Sequence, residues 1–332
     1  MSFITGLGIY LPQLRHTARD ISAASGIPED IVRNKLGIEE KVVPGTDDHP
    51  CGMGLTAAQR ALSAAGVDPM RVDQVVSIVE EHKEYPVWTA GIKLAHDAGA
   101  RRAYAYDVGQ KCGTSVLALK LAADSLKAND DQNCVLIAGG YRNSDLISYQ
   151  DPKVRFLYNL AAGGGAGVGQ KKARKGYEIL GSAFRTDGSF SLDVVVPVGG
   201  TQQPLDGKNL SEFRLQVPDP AGMKARLEQK SLANFATVAE EACAHSGVKP
   251  SQLAYVAVVH MKRSAHTEIL RRLNVPESRS IYLSRYGHIG HIDVLLSLKL
   301  AQDEGRLKPG DMVLLLSAGI GYVWNAMCLR VH

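Results

Sequence analysis

The sequence predicts an α/β protein with mostly parallel sheets covered by helices on both faces. Short apolar strands alternate with helix-period segments along most of the chain. Glycine clusters punctuate the strand ends, where such folds place their sites. The chain has 332 residues, 45% of them hydrophobic. On a prior of roughly 150 residues per domain, that length means about two domains or one large duplicated one.

The elements follow in order. Val75–Val79 and Ala103–Val108 are strand candidates, the second running into Gly109, Gln110, Lys111 and Cys112. From Ser115 to Leu126, apolar residues (Val116, Leu117, Leu119, Leu121, Ala122, Leu126) recur at helical spacing. Cys134–Ala138 is a strand ending at Gly139 and Gly140, and Gly163–Gly165 reads as a turn into a buried strand, Ala166–Val168. The second half repeats the rhythm: helix Lys224–His245, strand Leu253–Val259, helix Thr267–Leu273 and strand Ile281–Leu283. An amphipathic helix Asp293–Glu304, closed by Gly305, and strands Met312–Ser317 and Tyr322–Val331 complete it. Two similar halves, 1–172 and 173–332, suggest an internal duplication. The segment 186–222, rich in Gly, Pro, Asp and Ser, reads as a loop excursion near a site.

Charge and cysteine usage exclude several classes. Lys plus Arg total 38 against 34 for Asp plus Glu, a net +4 too mild for a nucleic-acid binder. The five cysteines (Cys51, Cys112, Cys134, Cys243, Cys328) form no CxxC pair. That argues against a disulfide scaffold or zinc ribbon and for a reducing compartment. No apolar run reaches the roughly 18 residues of a membrane span. A cytoplasmic protein without a membrane or metal partner is expected.

Cys112 is the most informative residue. It follows a strand and opens a helix, where the helix dipole would lower its pKa; a buried core cysteine is the plainer alternative. His260 ends a strand, at the edge where α/β folds hold sites. Arg285-Tyr286-Gly287-His288-Ile289-Gly290-His291 sets two histidines in a glycine-punctuated loop, with Asp293 just beyond. Ser317-Ala318-Gly319-Ile320-Gly321-Tyr322 offers backbone N–H groups to an oxyanion, or is a tight turn between strands. The cluster Glu80, Glu81, His82, Lys83, Glu84 is either a solvated loop or places a carboxylate in a cleft as an acid or base.

These blocks together resemble ketoacyl-ACP synthase III, of the thiolase superfamily, over essentially the whole chain. The matching segments are Gly6–Pro12, Leu36-Gly37-Ile38 with Glu39-Glu40, Tyr85-Pro86, Asp107-Val108 with Cys112-Gly113, Val259-His260, Tyr286-Gly287-His288 and Gly319–Trp324. The resemblance implies a five-layered αβαβα thiolase fold from two duplicated halves, usually a homodimer. It implies acyl transfer from acyl-CoA or acyl-ACP as substrate, with no separate cofactor. Cys112 would be the nucleophile and His260 its first partner, with Cys112 and Gly321 N–H groups holding the oxyanion. Arg33, Lys35 and Arg155 would contact the donor nucleotide, and Tyr85 the acyl pocket or dimer neighbour.

The chain departs from the family pattern at three places. His288 stands where the family has Asn; it can donate to an enolate or act as a base on a hydroxyl or amine acceptor. Arg263 replaces a second Asn, and Ile31 replaces a Trp that stacks on adenine. Glu80, with Glu81 beside it, resembles the acid/base glutamate of the cousin hydroxymethylglutaryl-CoA synthase. The expected activity is therefore decarboxylative condensation of a Cys112-bound acyl group with a malonyl-type extender, in fatty-acid, polyketide or other specialised metabolism. The alternatives are acyl transfer to a hydroxyl or amine and a hydroxymethylglutaryl-CoA synthase-like condensation. A non-catalytic subunit of a two-chain system is the rival of another class, and the retained Cys112 and His260 oppose it.

Overall fold

The computed structural model describes residues 2–332. Strands β1 (Phe3–Tyr10), β2 (Arg15–Thr17) and β3 (Glu40–Val42) flank the short helices α1 (Ala18–Ser25) and α2 (Glu29–Asn34). Next come α3 (Pro50–Ala65), β4 (Gln74–Ser77), α4 (Ala90–Asp97), β5 (Tyr104–Asp107), α5 (Thr114–Ala128), β6 (Cys134–Tyr141) and β7 (Gly163–Gln170). The remainder holds β8 (Tyr177–Thr186), α6 (Pro220–His245), β9 (Tyr255–Val258), α7 (Arg263–Arg272), α8 (Asp293–Asp303), β10 (Met312–Gly319) and β11 (Val323–Val331).

Nine strands form one row in the order β5-β4-β6-β7-β1-β8-β11-β10-β9, while β2 and β3 pair separately. The pairings are mixed rather than mostly parallel. The β4–β5, β4–β6 and β9–β10 pairs are parallel and the central ones antiparallel. The row is thin at its middle, where β1 meets β8 through only Phe3–Glu178 and Ile4–Tyr177. It therefore splays into two sheets, and five layers result. Helices α3 and α4 cover one sheet, α5 and α8 lie between the sheets, and α6 and α7 cover the other.

The residues explain the layering. Inner strands are apolar on both faces because both faces are buried. In β10, Val313 and Leu315 face the central core and Leu314 and Leu316 the α6/α7 core. In β6, Val135 and Ile137 point to the centre and Leu136 to α3/α4.

Two further expectations fail. Gly163–Gly165 lies inside β7 rather than in a turn. Gly164 is contact surface for α3, where a Cβ would lie 2.3 Å from the Met53 carbonyl oxygen, while Gly163 and Gly165 face Ile289 and Ile292. Gly8 and Gly140 press on the same helix, where a Cβ would lie 1.9 Å from the Ala57 oxygen and 2.3 Å from the Pro50 oxygen. Only glycine admits backbone this close. Ile281–Leu283 forms no strand; the backbone N–H of Ile281 bonds to the Tyr255 hydroxyl instead (3.2 Å). Segment 187–219 is an irregular excursion, pinned to α6 by Asp187–Lys230 (2.6 Å) and Asp193–Arg226, with Phe190 buried under Trp324. Among the described residues no helix is long and apolar enough to cross a membrane.

Candidate active site

Cys112 lies in a single 3₁₀ turn, Lys111–Gly113, between β5 and α5. Lys111 holds φ +51°, in the left-handed region that disfavours side chains. The surroundings fix this strained turn. Thr114 Oγ1 accepts from the Gln110 N–H (2.8 Å) and donates to the Lys111 carbonyl (2.6 Å). Ser317 Oγ donates to the Cys112 carbonyl (2.5 Å), and Asn325 Nδ2 donates to the Gly113 carbonyl (3.1 Å). Gly319, at the end of β10, leaves room for the Cys112 backbone nitrogen; a Cβ there would lie 2.9 Å from it.

Three side chains meet at the sulfur end. His288 Nε2 lies 3.2 Å from Cys112 Sγ, and its Nδ1 lies 2.5 Å from Asp293 Oδ2. Asp293 opens α8 and is fully buried. Its Oδ1 also accepts from the Ile289 N–H (2.7 Å) and its Oδ2 from the His260 N–H (2.8 Å). The His288 backbone is clamped by Asn159 and Ala161 (2.7 and 2.8 Å). The geometry is that of a nucleophile, a base and an orienting carboxylate.

Electrostatics separate the groups. Burial pushes the Cys112 thiol up; the adjacent His288 pulls it down without overcoming burial. The expected lowering by the helix terminus is thus reversed, because the thiol is removed from water. Burial would lower His288, but the charges of Asp293 and Cys112, with its hydrogen bonds to both, hold it well above the usual histidine range. His260 is pushed down to about 3 by burial, with Asp293 opposing. Both of its ring nitrogens are buried without a partner, and the ring packs on Tyr282 at 5.0 Å.

A second carboxylate–imidazole pair lies close by. Glu80 Oε1 is 3.3 Å from His291 Nδ1, and Glu80 Oε2 accepts from Asn143 Nδ2 (3.1 Å). Glu81, weighed with Glu80 as an acid or base, points outward. Its side chain is 70% exposed and pairs with Lys111 at 2.5 Å. Gly321 sits in the β10–β11 connection with φ +120° and open space around it. Arg263 stacks on Tyr282 (4.7 Å) and pairs with Glu277 at the surface. Arg33 pairs with Glu29 on α2; Lys35 and Arg155 are exposed. Among the described residues, none of these three basic side chains is hydrogen-bonded or ion-paired to the Cys112 cluster. Tyr85 is 64% exposed, edge-on to Trp88. Asp293 is the principal residue that sequence reasoning missed; its signal was an acidic residue five positions after His288 at the start of a buried helix.

This architecture defines a thiolase-fold acyltransferase. The sequence model of 3-oxoacyl-[acyl-carrier-protein (ACP)] synthase III matches residues 106–188, and the model of its C-terminal part matches 243–331. The β-ketoacyl-[acyl-carrier-protein] synthase III of Symbiobacterium thermophilum is 28% identical over 98% of this chain and 97% of its own. That of Allorhizobium ampelinum is 25% identical over 99% of each chain. The crystal structure of the synthase III from Thermus thermophilus superposes with a TM-score of 0.84 at 25% identity, covering 99% of each chain. The chain belongs to the 3-oxoacyl-[acyl-carrier-protein] synthase III family.

Proposed function

We propose that Cys112 takes an acyl group from an acyl-CoA or acyl-ACP thioester and passes it, by decarboxylative condensation, to a malonyl-type extender. The observation that carries the reading is the Cys112–His288–Asp293 alignment, at 3.2 and 2.5 Å. The thiol proton moves to His288 Nε2 while Nδ1–H stays on Asp293. Sγ attacks the thioester carbonyl, and the donor thiol leaves with the proton. Backbone N–H groups of Cys112 and Gly321 are the proposed oxyanion donors. His260, neutral and with an unpartnered ring, is read as donor to the enolate left after CO₂ departs.

The finer points belong to the same reading. Arg33, Lys35, Arg155 and Arg263 are read as contacts to the donor's phosphates or to a carrier protein. The exposed apolar residues Tyr85, Val87 and Ile92 suit a homodimer contact. The two halves, 1–172 and 173–332, are read as a duplication, supported by the splayed row of strands. A cytoplasmic location and a reaction needing no separate cofactor fit the family. One observation favours a second reading, acyl transfer to a hydroxyl or amine. Once its proton has gone, His288 Nε2 is a base held beside the acyl group by Asp293.

Intact-protein mass spectrometry with a panel of acyl-CoA thioesters, followed by a malonyl-CoA chase, tests both. An adduct on Cys112 that clears with CO₂ release supports condensation. One that clears only with an alcohol or amine supports the second reading. An adduct that persists in Cys112→Ala overturns both.

A further inference from the structure

The site holds more proton-transfer machinery than the Cys112–His288–Asp293 line uses. Glu80 and His291 are 5% and 0% exposed, so two carboxylate–imidazole pairs are buried beside one thiol. Burying such a pair is costly, and among the described residues this one joins no wider ion-pair network. Glu80 has one further partner, Asn143, and His291 Nε2 is buried with none. The turn Gly290–Ile292, which carries His291, packs directly on the turn that carries Cys112. The Tyr141 ring packs on both imidazoles, 6.3 Å from His288 and 6.0 Å from His291. On the outer side, Asn143 adjoins Arg142 and Asp145. These two line a groove of about 300 Å³ that also contains His82 and Lys83.

Proton balance gives the pair a task. In loading, the Cys112 proton leaves with the donor thiol. In condensation, the malonyl carboxylate departs as CO₂, the new carbon–carbon bond forms and the Cys112 C–S bond breaks. The sulfur is then a thiolate, and no proton has been supplied. Each turnover therefore consumes one proton from outside the substrates. His288 keeps its Nδ1 proton on Asp293, and any proton it passes to Cys112 from Nε2 has to be replaced in every turnover.

Resting on the condensation reading above, we propose that the Glu80–His291 pair is the proton source that resets Cys112 after each condensation, itself refilled from the groove beside Asn143. An imidazole on a carboxylate is suited to hold and release such a proton. The groups facing the pair are Asn143, Tyr141 and Cys112, with His288 and Asp293 beyond.

The test separates the first turnover from later ones. Wild type, Glu80→Gln and His291→Gln are loaded with the acyl-CoA that labels wild type best, then mixed with malonyl-CoA in a quenched-flow instrument. The first condensation starts from the acylated enzyme and needs no proton on Cys112. It should stay within about threefold of wild type, while later turnovers slow roughly 10²-fold. Added imidazole or a lower pH should restore at least about tenfold of the later rate. Equal loss in first and later turnovers, or no loss in either, overturns the inference while leaving the condensation reading intact. Wild type that loads Cys112 but releases no CO₂ overturns the condensation reading first. Should Glu80→Gln fail to fold, His291→Gln, which keeps the Asn143–Glu80 bond, carries the test.

Discussion

His288 and His260 share one carboxylate and use it in opposite ways. Asp293 receives the ring of His288 but only the backbone N–H of His260. His288 therefore has both nitrogens engaged, one on Asp293 and one on Cys112. It is held well above its ordinary value by those partners despite burial. His260 has neither nitrogen engaged, and burial drives it down to about 3. Similar burial thus yields a proton-binding group on one side and a ring that stays neutral down to about 3 on the other. What decides is whether the carboxylate meets the ring or the main chain.

The sharpest way to break this contrast is Asp293→Asn. The amide oxygen can accept only part of what the carboxylate accepts, and His288 loses the partner that fixes its tautomer. Acylation of Cys112, followed by mass spectrometry, should slow roughly 10³-fold. A loss under about tenfold would mean that His288 acts without Asp293. A smaller effect is expected on the other side. His260→Asn should slow condensation roughly 10²-fold while loading changes less than about fivefold. Equal loss in both steps would erase the proposed division of labour between the two rings.

Much of this arrangement was legible in the sequence, and its failures have physical causes. Cys112 was found because a strand, a tight turn and a helix follow one another directly around it. His288 was found because glycines flank it. Asp293 looked like an ordinary acidic residue at a helix start, a position where the dipole welcomes one anyway. Nothing local told that its carboxylate is buried and faces back to His288. Glu80 and Glu81 are neighbours in sequence, but one is buried on His291 and the other is at the surface on Lys111. Helix α3 was hidden because Pro50-Cys51-Gly52-Met53-Gly54 reads as a breaker sequence. In the fold, Gly54 is spare room for Gly139, whose Cα a Cβ there would meet at 2.6 Å. Small residues chosen for close backbone packing carry little helix or strand signal of their own.

The same comparison extends to the thiols. Cys112 is pushed up by burial but pulled back by His288, whereas Cys51 and Cys134 are pushed up to about 12 without such a partner. Iodoacetamide should modify Cys112 before Cys51 and Cys134, at a rate that still climbs between pH 7 and 9, rising about tenfold per unit while thiolate is the minor form. A rate already flat below pH 8 would show a preformed thiolate and contradict burial as the dominant influence.

The mildest expectation concerns stability. His260 and His266 are neutral in the fold down to about 3 and about 4, both through burial, whereas the unfolded chain protonates them near 6.5. Below 6.5 the unfolded state therefore binds more protons, and stability falls as pH falls through the window from 6.5 to about 4. His266 lies against Tyr282 at 5.2 Å, on the ring that also carries His260, and is not bonded to Asp293. His266→Asn should therefore remove its share of the slope and leave the acylation chemistry alone. Urea unfolding at pH 7 and pH 5 should give a difference smaller than that of wild type by about 1–2 kcal/mol. An unchanged difference would place the acid sensitivity in the carboxylates instead. The neutral-ring side of the comparison would then rest on His260 alone.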